Sequence, residues 1–452
     1  MTVITYLLGL LQSGLGGLAA YLAAHVLLCL LPAFFIAGAL SSLLPKEAIT
    51  RYLGRDTSKW ISYPAAAAGG FLLAVCSCTI MPLFASIYKK GAGLGPAVTF
   101  LFVGPAVNIL AISFTGVQIG LDIALARVIL SIVFGIVIGL LMSWIFRKDD
   151  TEHVQGVNGG GAFNAKASIP TRTIVFFVLL LGMLIAGTLQ VGLLQNVFFQ
   201  FTLPGGWAGA LQGWLDRLIP PDAAMGIEGV SVQGLFLIGL LVLIGLSALK
   251  GFRHLDKGLS NWTTLTLGLT TFTLIFASLS VTITDSGVLM GLTGRWVSEL
   301  IFLGALWWVA AKFLSRAEIQ EWLWETWRFV KQIIPLLLIG VFVASIARGL
   351  IPGSWIQAIA GSNTFWANLA GVLFGVFMYF PTLVEVPVAQ TFLSLGMHRG
   401  PLLAYLLADP ELSLQSILIT NTVIGKKKTA VYVTLVTVFS TVSGLLFGWI
   451  IR

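Results

Sequence analysis

This 452-residue chain has little charge: 26 Lys and Arg and 18 Asp and Glu make up only 10% of it. A soluble domain carries roughly 25% charged residues. With 57% apolar residues and a mean hydropathy of +0.96, so little polar surface cannot shield the rest from water, and lipid must be the solvent. Cysteine is scarcer still. Cys29, Cys76 and Cys78 stand in apolar settings and are too few for a disulfide scaffold. His25 and His398 are isolated, so no metal cluster is expected. There is no Walker A lysine loop and no dinucleotide fingerprint, so no cofactor, no catalytic residue and no enzymatic activity are expected. The first fourteen residues lack a basic n-region and a small-residue cleavage site, and the first apolar segment is expected to be retained.

The net charge of +8 does not form one basic stripe, which argues against a nucleic-acid partner. Lys and Arg instead cluster between apolar runs, at Arg147-Lys148, Lys250 to Lys257, Lys312 to Arg316 and Lys426 to Lys428, as topology-setting charge does. A crossing helix needs about 20 apolar residues. Such runs fall near 18–44, 63–87, 92–117, 121–146, 173–200, 231–249, 264–284, 295–314, 331–350, 366–394, 399–423 and 429–451. The expected fold is therefore an all-α, polytopic integral membrane protein with about ten to twelve transmembrane helices. Residues 18–146 and 316–452 read as two related transmembrane units. Between them lie a flexible polar linker (147–172) and middle helices (173–315). The prolines and acids of 201–230 suggest a larger external loop, and the Trp-rich stretch 316–330 an interfacial amphipathic helix. With the basic clusters on one side, the triple lysine falls on the wrong side if every run crosses once. Either a broken run is re-entrant or the count is off by one.

The two units are a repeat. Gly70, Pro82, Gly91, Gly95, Pro96, Leu101 and Pro105 recur as Gly375, Pro387, Gly396, Gly400, Pro401, Leu406 and Pro410, at an offset of 305. Upstream, Pro45 and Gly54 recur as Pro352 and Gly361 at 307; downstream, the GxxxG pair Gly135 and Gly139 aligns with Gly444 and Gly448 at 309. A proline inside a helix has no N–H for the carbonyl four residues back. Helix breaks are therefore expected at Pro82, Pro105, Pro387 and Pro410. Free carbonyls at membrane depth are tolerated only inside protein or along a wet cavity, and paired interrupted segments in two halves point to a transporter's central site.

Near these breaks stand the residues that can carry chemistry. Cys76-Ser77-Cys78 precedes Pro82. On a regular helix the two thiols diverge, whereas on an extended stretch both can meet one soft centre; packing cysteines are the alternative. The equivalent of Ile80 is Glu385, an intramembrane carboxyl that suits proton coupling or a structural hydrogen bond. Asn108, with Ser413 as its repeat partner, can contact substrate or cap a half-helix. Asp409 beside Pro410 is a secondary capping candidate.

The stretch Cys76-Ser77-Cys78, Pro82, Gly91 to Gly95, Phe100-Leu101, Pro105 and Asn108 resembles the predicted-permease family that includes the organoarsenical (ArsP-like) efflux permeases. Residues 400–428 look like that family's second repeat. Thr79 departs from the pattern, where many members carry glycine. The resemblance implies a multi-pass permease of the cell (inner) membrane, in lipid bilayer and compatible with a homo-oligomer. It would export a small-molecule, thiophilic substrate such as a trivalent organoarsenical. Cys76 and Cys78 would bind, with Ser77 between them; Asn108 would orient and Glu385 would couple. Two other readings fit duplicated membrane halves: a thiol–disulfide electron shuttle, which would place a cysteine in each half, and a channel or scaffold subunit.

Overall fold

The computed structural model describes residues 3–24, 28, 30–43, 46–73, 77–107, 109–158, 170–188, 192–204, 206–221, 229–252, 255, 258–284, 287–350, 353–377 and 382–451. The chain opens with α1 (Val3–Ala24) and α2 (Leu31–Ser42). A six-helix unit follows: α3 (Lys46–Leu53), α4 (Lys59–Leu73), α5 (Ser77–Lys89), α6 (Leu94–Ala106), α7 (Ile109–Gln118) and α8 (Leu121–Ile145). The middle comprises α9 (Arg147–Asn158), α10 (Thr171–Thr188), α11 (Gly192–Gln195), β1 (Val197–Pro204), α12 (Trp207–Leu218) and α13 (Val232–Gly251). It continues with α14 (Asn261–Ala277), β2 (Ser280–Thr284), β3 (Gly287–Thr293) and α15 (Gly294–Phe313). Helix α16 (Arg316–Leu350) leads into the second unit: α17 (Gly353–Ala360), α18 (Phe365–Phe377), α19 (Thr382–Ser394), α20 (Arg399–Leu412), α21 (Leu414–Ile424) and α22 (Lys426–Ile450).

This is an all-α polytopic membrane architecture with one small antiparallel sheet of order β1-β3-β2. Among the described residues, α8, α10, α13, α15, α16 and α22 are long and apolar enough to cross a bilayer, and α20 with α21 forms a seventh span bent by 45°. The remaining apolar runs are built from shorter pieces. The run 264–284 divides after Ala277, where β-branched residues 281–284 favour the strand β2. The first part of the polar linker is the helix α9, anchored by Asp150, whose buried carboxylate accepts the Leu94 amide at 2.9 Å. The stretch 316–330 does not lie apart in the interface. It forms the first turns of the 35-residue α16, about 52 Å long at 1.5 Å per residue, and Trp322 Nε1 donates to the Phe35 carbonyl of α2 at 2.8 Å.

The two units correspond element by element. The Gly93 amide donates to the Leu53 carbonyl at 2.8 Å, and the equivalent His398 amide to the Ala360 carbonyl at 2.9 Å, which reproduces the offsets of 305 and 307. Gly91 and Gly396 turn the chain at φ 97° and 91°, a region open chiefly to glycine. A Cβ on Gly95 would lie 2.8 Å from the Gly139 carbonyl, and one on Gly400 would lie 2.7 Å from that of Gly444. The equivalent of Gly139 is therefore Gly444, and the offset stays at 305 through the last helix. The expected pairing at 309 matched the GxxxG spacing one turn out of register.

The copies run in opposite directions. Within each unit the long helix is antiparallel to the broken span, since Gly95 faces Gly139 and Gly400 faces Gly444. Between units, Arg399 at the start of α20 pairs with Asp122 at the start of α8 at 2.7 Å, and Lys428 at the start of α22 pairs with Asp149 beyond the end of α8 at 3.7 Å. Helices α8 and α22 are thus antiparallel. The rings of Phe134 and Phe439, equivalent residues at an offset of 305, meet with centroids 5.1 Å apart. A pseudo-two-fold axis in the membrane plane passes between them.

Inversion also settles the position of the triple lysine. Helix α4 runs parallel to α6, with Arg55 against Gly93 and Gly70 against Gly104, whereas α5 runs back against α6, with Ile80 on Gly104. The α4–α5 segment therefore enters and leaves by one face, as does α18–α19, where Gly371 and Gly375 follow Pro401 and Asp409. Two re-entrant hairpins and two broken crossings place Lys428 beside Asp149. Lys89–Glu325 at 2.6 Å and Arg172–Glu318 at 3.1 Å lie on the same face.

Candidate functional site

The interruptions do not coincide with all four prolines. Helix α5 passes through Pro82, and α19 spans residue 387. The Cys78 carbonyl loses its helical donor, but α5 persists because Ile80, Met81, Leu83 and Phe84 on either side of the proline are wholly buried in the core. Helices α4 and α5 run in opposite directions, as do α18 and α19, and the residues between them, 74–76 and 378–381, lie outside the described part. Pro105 and Pro410 lie near breaks, since α6 ends at Ala106 and α20 at Leu412. Helices α5 and α21 begin in the interior, with Ser77 and Ser413 both buried. Each hairpin return packs on the broken span of the other copy, α5 on α21 and α19 on α7, and Thr420 Oγ1 lies 3.7 Å from Met81 Sδ. The hairpin returns and broken spans of both copies thus meet at the seam between them.

Cys76 and Asn108 lie outside the described residues. Ser77 is the first residue of α5 and is buried. Cys78 follows in its first turn, its side chain outside the described part. Ser413 caps α21, its Oγ accepting the Ser416 amide at 3.3 Å. The cap at this break is therefore Ser413 and not Asp409, which sits inside α20 with its backbone against Gly375; capping needs the non-helical residue immediately before the helix.

Glu385 is completely buried in the first turn of α19, and its Oε2 accepts from Arg127 Nη2 of α8 at 2.9 Å. Arg127 has no exposed surface. This ion pair joins one inverted copy to the other. Two residues from the α20–α21 break, the buried Glu411 accepts from the Tyr432 hydroxyl of α22 at 2.7 Å. Tyr432 occupies the position equivalent to Arg127, so the two α8/α22 counterparts each donate to a carboxylate of the second copy. The first copy carries Ile80, Gly104 and Ala106 where the second carries Glu385, Asp409 and Glu411. Arg127 was open to the same reasoning as Glu385, because an intramembrane ionisable residue is costly in either sign; the other ionisable residue of the run 121–146, Asp122, stands at its end. Tyr432 carried no signal until the copies were known to be inverted. Among the described residues, no group of three His, Cys, Asp or Glu is arranged to hold a metal ion.

Two upside-down copies, each with a re-entrant hairpin and a broken crossing meeting at a buried polar seam, define a multi-pass membrane transporter. The comparisons agree. A model of the predicted permease family matches residues 14–215 and 235–449, and the chain belongs to that family. It is 32% identical over 453 residues, the full length of both proteins, to the UPF0718 protein MJ0584 of Methanocaldococcus jannaschii. No solved structure matches it.

Proposed function

We propose that this permease exports a small thiophilic molecule, such as a trivalent organoarsenical, across the cell membrane, with Cys76 and Cys78 as its ligands and Asn108 orienting it. The observation that supports this reading is Ser77, the middle residue of the motif, which is buried in the first turn of α5, the hairpin return of one copy that packs on the broken span of the other. Thiolates bind soft centres. Two thiols condensing with a dihydroxy-organoarsenical form two As–S bonds and release two waters, and hydrolysis on the far side reverses the step. The positive-inside rule assigns the face carrying Lys428, Lys89 and Arg172 to the cytoplasm.

The test is protection of an efflux-deficient cell against a trivalent methylarsenical. Wild-type chain is expected to restore growth, and Cys78→Ser to abolish it at unchanged membrane abundance. Full export by that variant removes the cysteines from the site.

A further inference from the structure

Two buried carboxylates of the second copy sit in opposite electrostatic settings. Glu385 lies in the first turn of α19, where the positive end of the helix dipole favours an anion, and it is matched by Arg127 at 2.9 Å. Glu411 lies in the last turn of α20, where the dipole opposes an anion. Its one described partner is the neutral Tyr432 hydroxyl on Oε2, and its Oε1 has no hydrogen-bond partner among the described residues. Arg127 is the one cation without exposed surface among the described residues, and its charge is already taken by Glu385. A second unmatched negative charge at this depth would be costly.

We propose that Glu411 carries the coupling proton of this permease, with Tyr432 holding its carboxyl in place and Glu385 serving as the fixed counter-ion of Arg127. The groups acting on Glu411 are Tyr432 from α22, Arg127 from α8 and Glu385 from α19. Its own helix adds Asp409, Tyr405 and, at its far end, Arg399, which pairs with Asp122. Helices α6 and α18, also packed on α20, have no titratable residue in their helical ranges, and α21 offers only neutral Gln415 and Ser416 in its first turn. Proton uptake forms an O–H bond at a Glu411 oxygen as a hydronium ion gives up its proton and becomes water, and release is the reverse. No other reactant is needed. Two residues from Glu411 the span bends by 45° at Ser413, so the charge on this carboxyl acts beside the joint between α20 and α21. In the unit's other copy the position is Ala106, and the proton site therefore exists once per chain.

The coupling role rests on the permease reading, whereas occupancy by a proton does not, and the two are read separately. Infrared spectra of full-length protein carrying ¹³C-labelled glutamate, in lipid nanodiscs at neutral pH, should show a labelled protonated-carboxyl band that shifts in heavy water. The band should disappear in Glu411→Gln, persist in Glu385→Gln and change frequency in Tyr432→Phe, which retains the acid should Glu411→Gln fail to fold. An absent band, an unlabelled band lost only in Asp409→Asn, or a band lost in Glu385→Gln overturns the assignment. For coupling, proteoliposomes loaded with a trivalent methylarsenical should lose pH-gradient-driven flux in Glu411→Gln while retaining substrate exchange. Wild-type flux indifferent to the gradient overturns the coupling role and leaves the band to judge the proton.

Discussion

Arg127 of one copy donates to Glu385 of the other at 2.9 Å, both without solvent contact. Removing one member of such a pair strands the other, at a cost of about 3–5 kcal/mol, while replacing both with apolar residues is often neutral. Arg127→Met is expected to lower thermal stability in detergent by that amount, and Arg127→Met with Glu385→Met to recover most of it. Equal losses in the single and double variants would show that the two residues act independently.

The α6–α8 and α20–α22 crossings leave no room for a side chain. Gly139→Ala and Gly444→Ala should each cost about 1–3 kcal/mol through overpacking, by similar amounts, because each faces the equivalent carbonyl at 2.7 and 2.6 Å. Gly239→Ala, with nothing within 4 Å, should leave the melting temperature unchanged or slightly raised. Thermal unfolding monitored by fluorescence size-exclusion checks all three.

Leu121 and Lys426 are equivalent residues at the starts of α8 and α22. In a background without native cysteines, Leu121→Cys and Lys426→Cys should react with a membrane-impermeant maleimide added from opposite sides of sealed vesicles. Labelling of both from one side would mean that the copies are parallel.

Ser413 holds the bend between α20 and α21. Ser413→Ala removes the acceptor of the Ser416 amide and should cost about 0.5–2 kcal/mol. Amide exchange in 414–424 is expected to quicken while that in 426–450 stays unchanged.

Much of this architecture could be read in advance. The glycines and prolines of 70–105 and 375–410 reported the duplication because turns and close crossings tolerate few other residues, and Gly91 and Gly396 occupy those turns. The prolines reported the breaks less well. A missing N–H weakens one helical bond, but the core around Pro82 holds α5 together. The direction of the copies was hidden because inversion leaves hydropathy unchanged. Only the misplaced triple lysine hinted at it, and re-entrant α4–α5 and α18–α19 explain that hint. Glu385 stood out as a lone acid, whereas Arg127 was passed over among basic residues that elsewhere mark loops. Glu411 became distinct from Glu385 only once each could be placed at its own end of a helix.

The contact of Phe134 with Phe439 has a consequence for how such a molecule can move. A residue that touches its own counterpart sits on the pivot of the duplication, where exchanging the conformations of the two halves displaces it least. If each half takes up the shape its twin now holds, the whole turns to face the opposite side of the bilayer around an almost stationary pair of rings. The reversed state then requires no fold that the chain does not already contain.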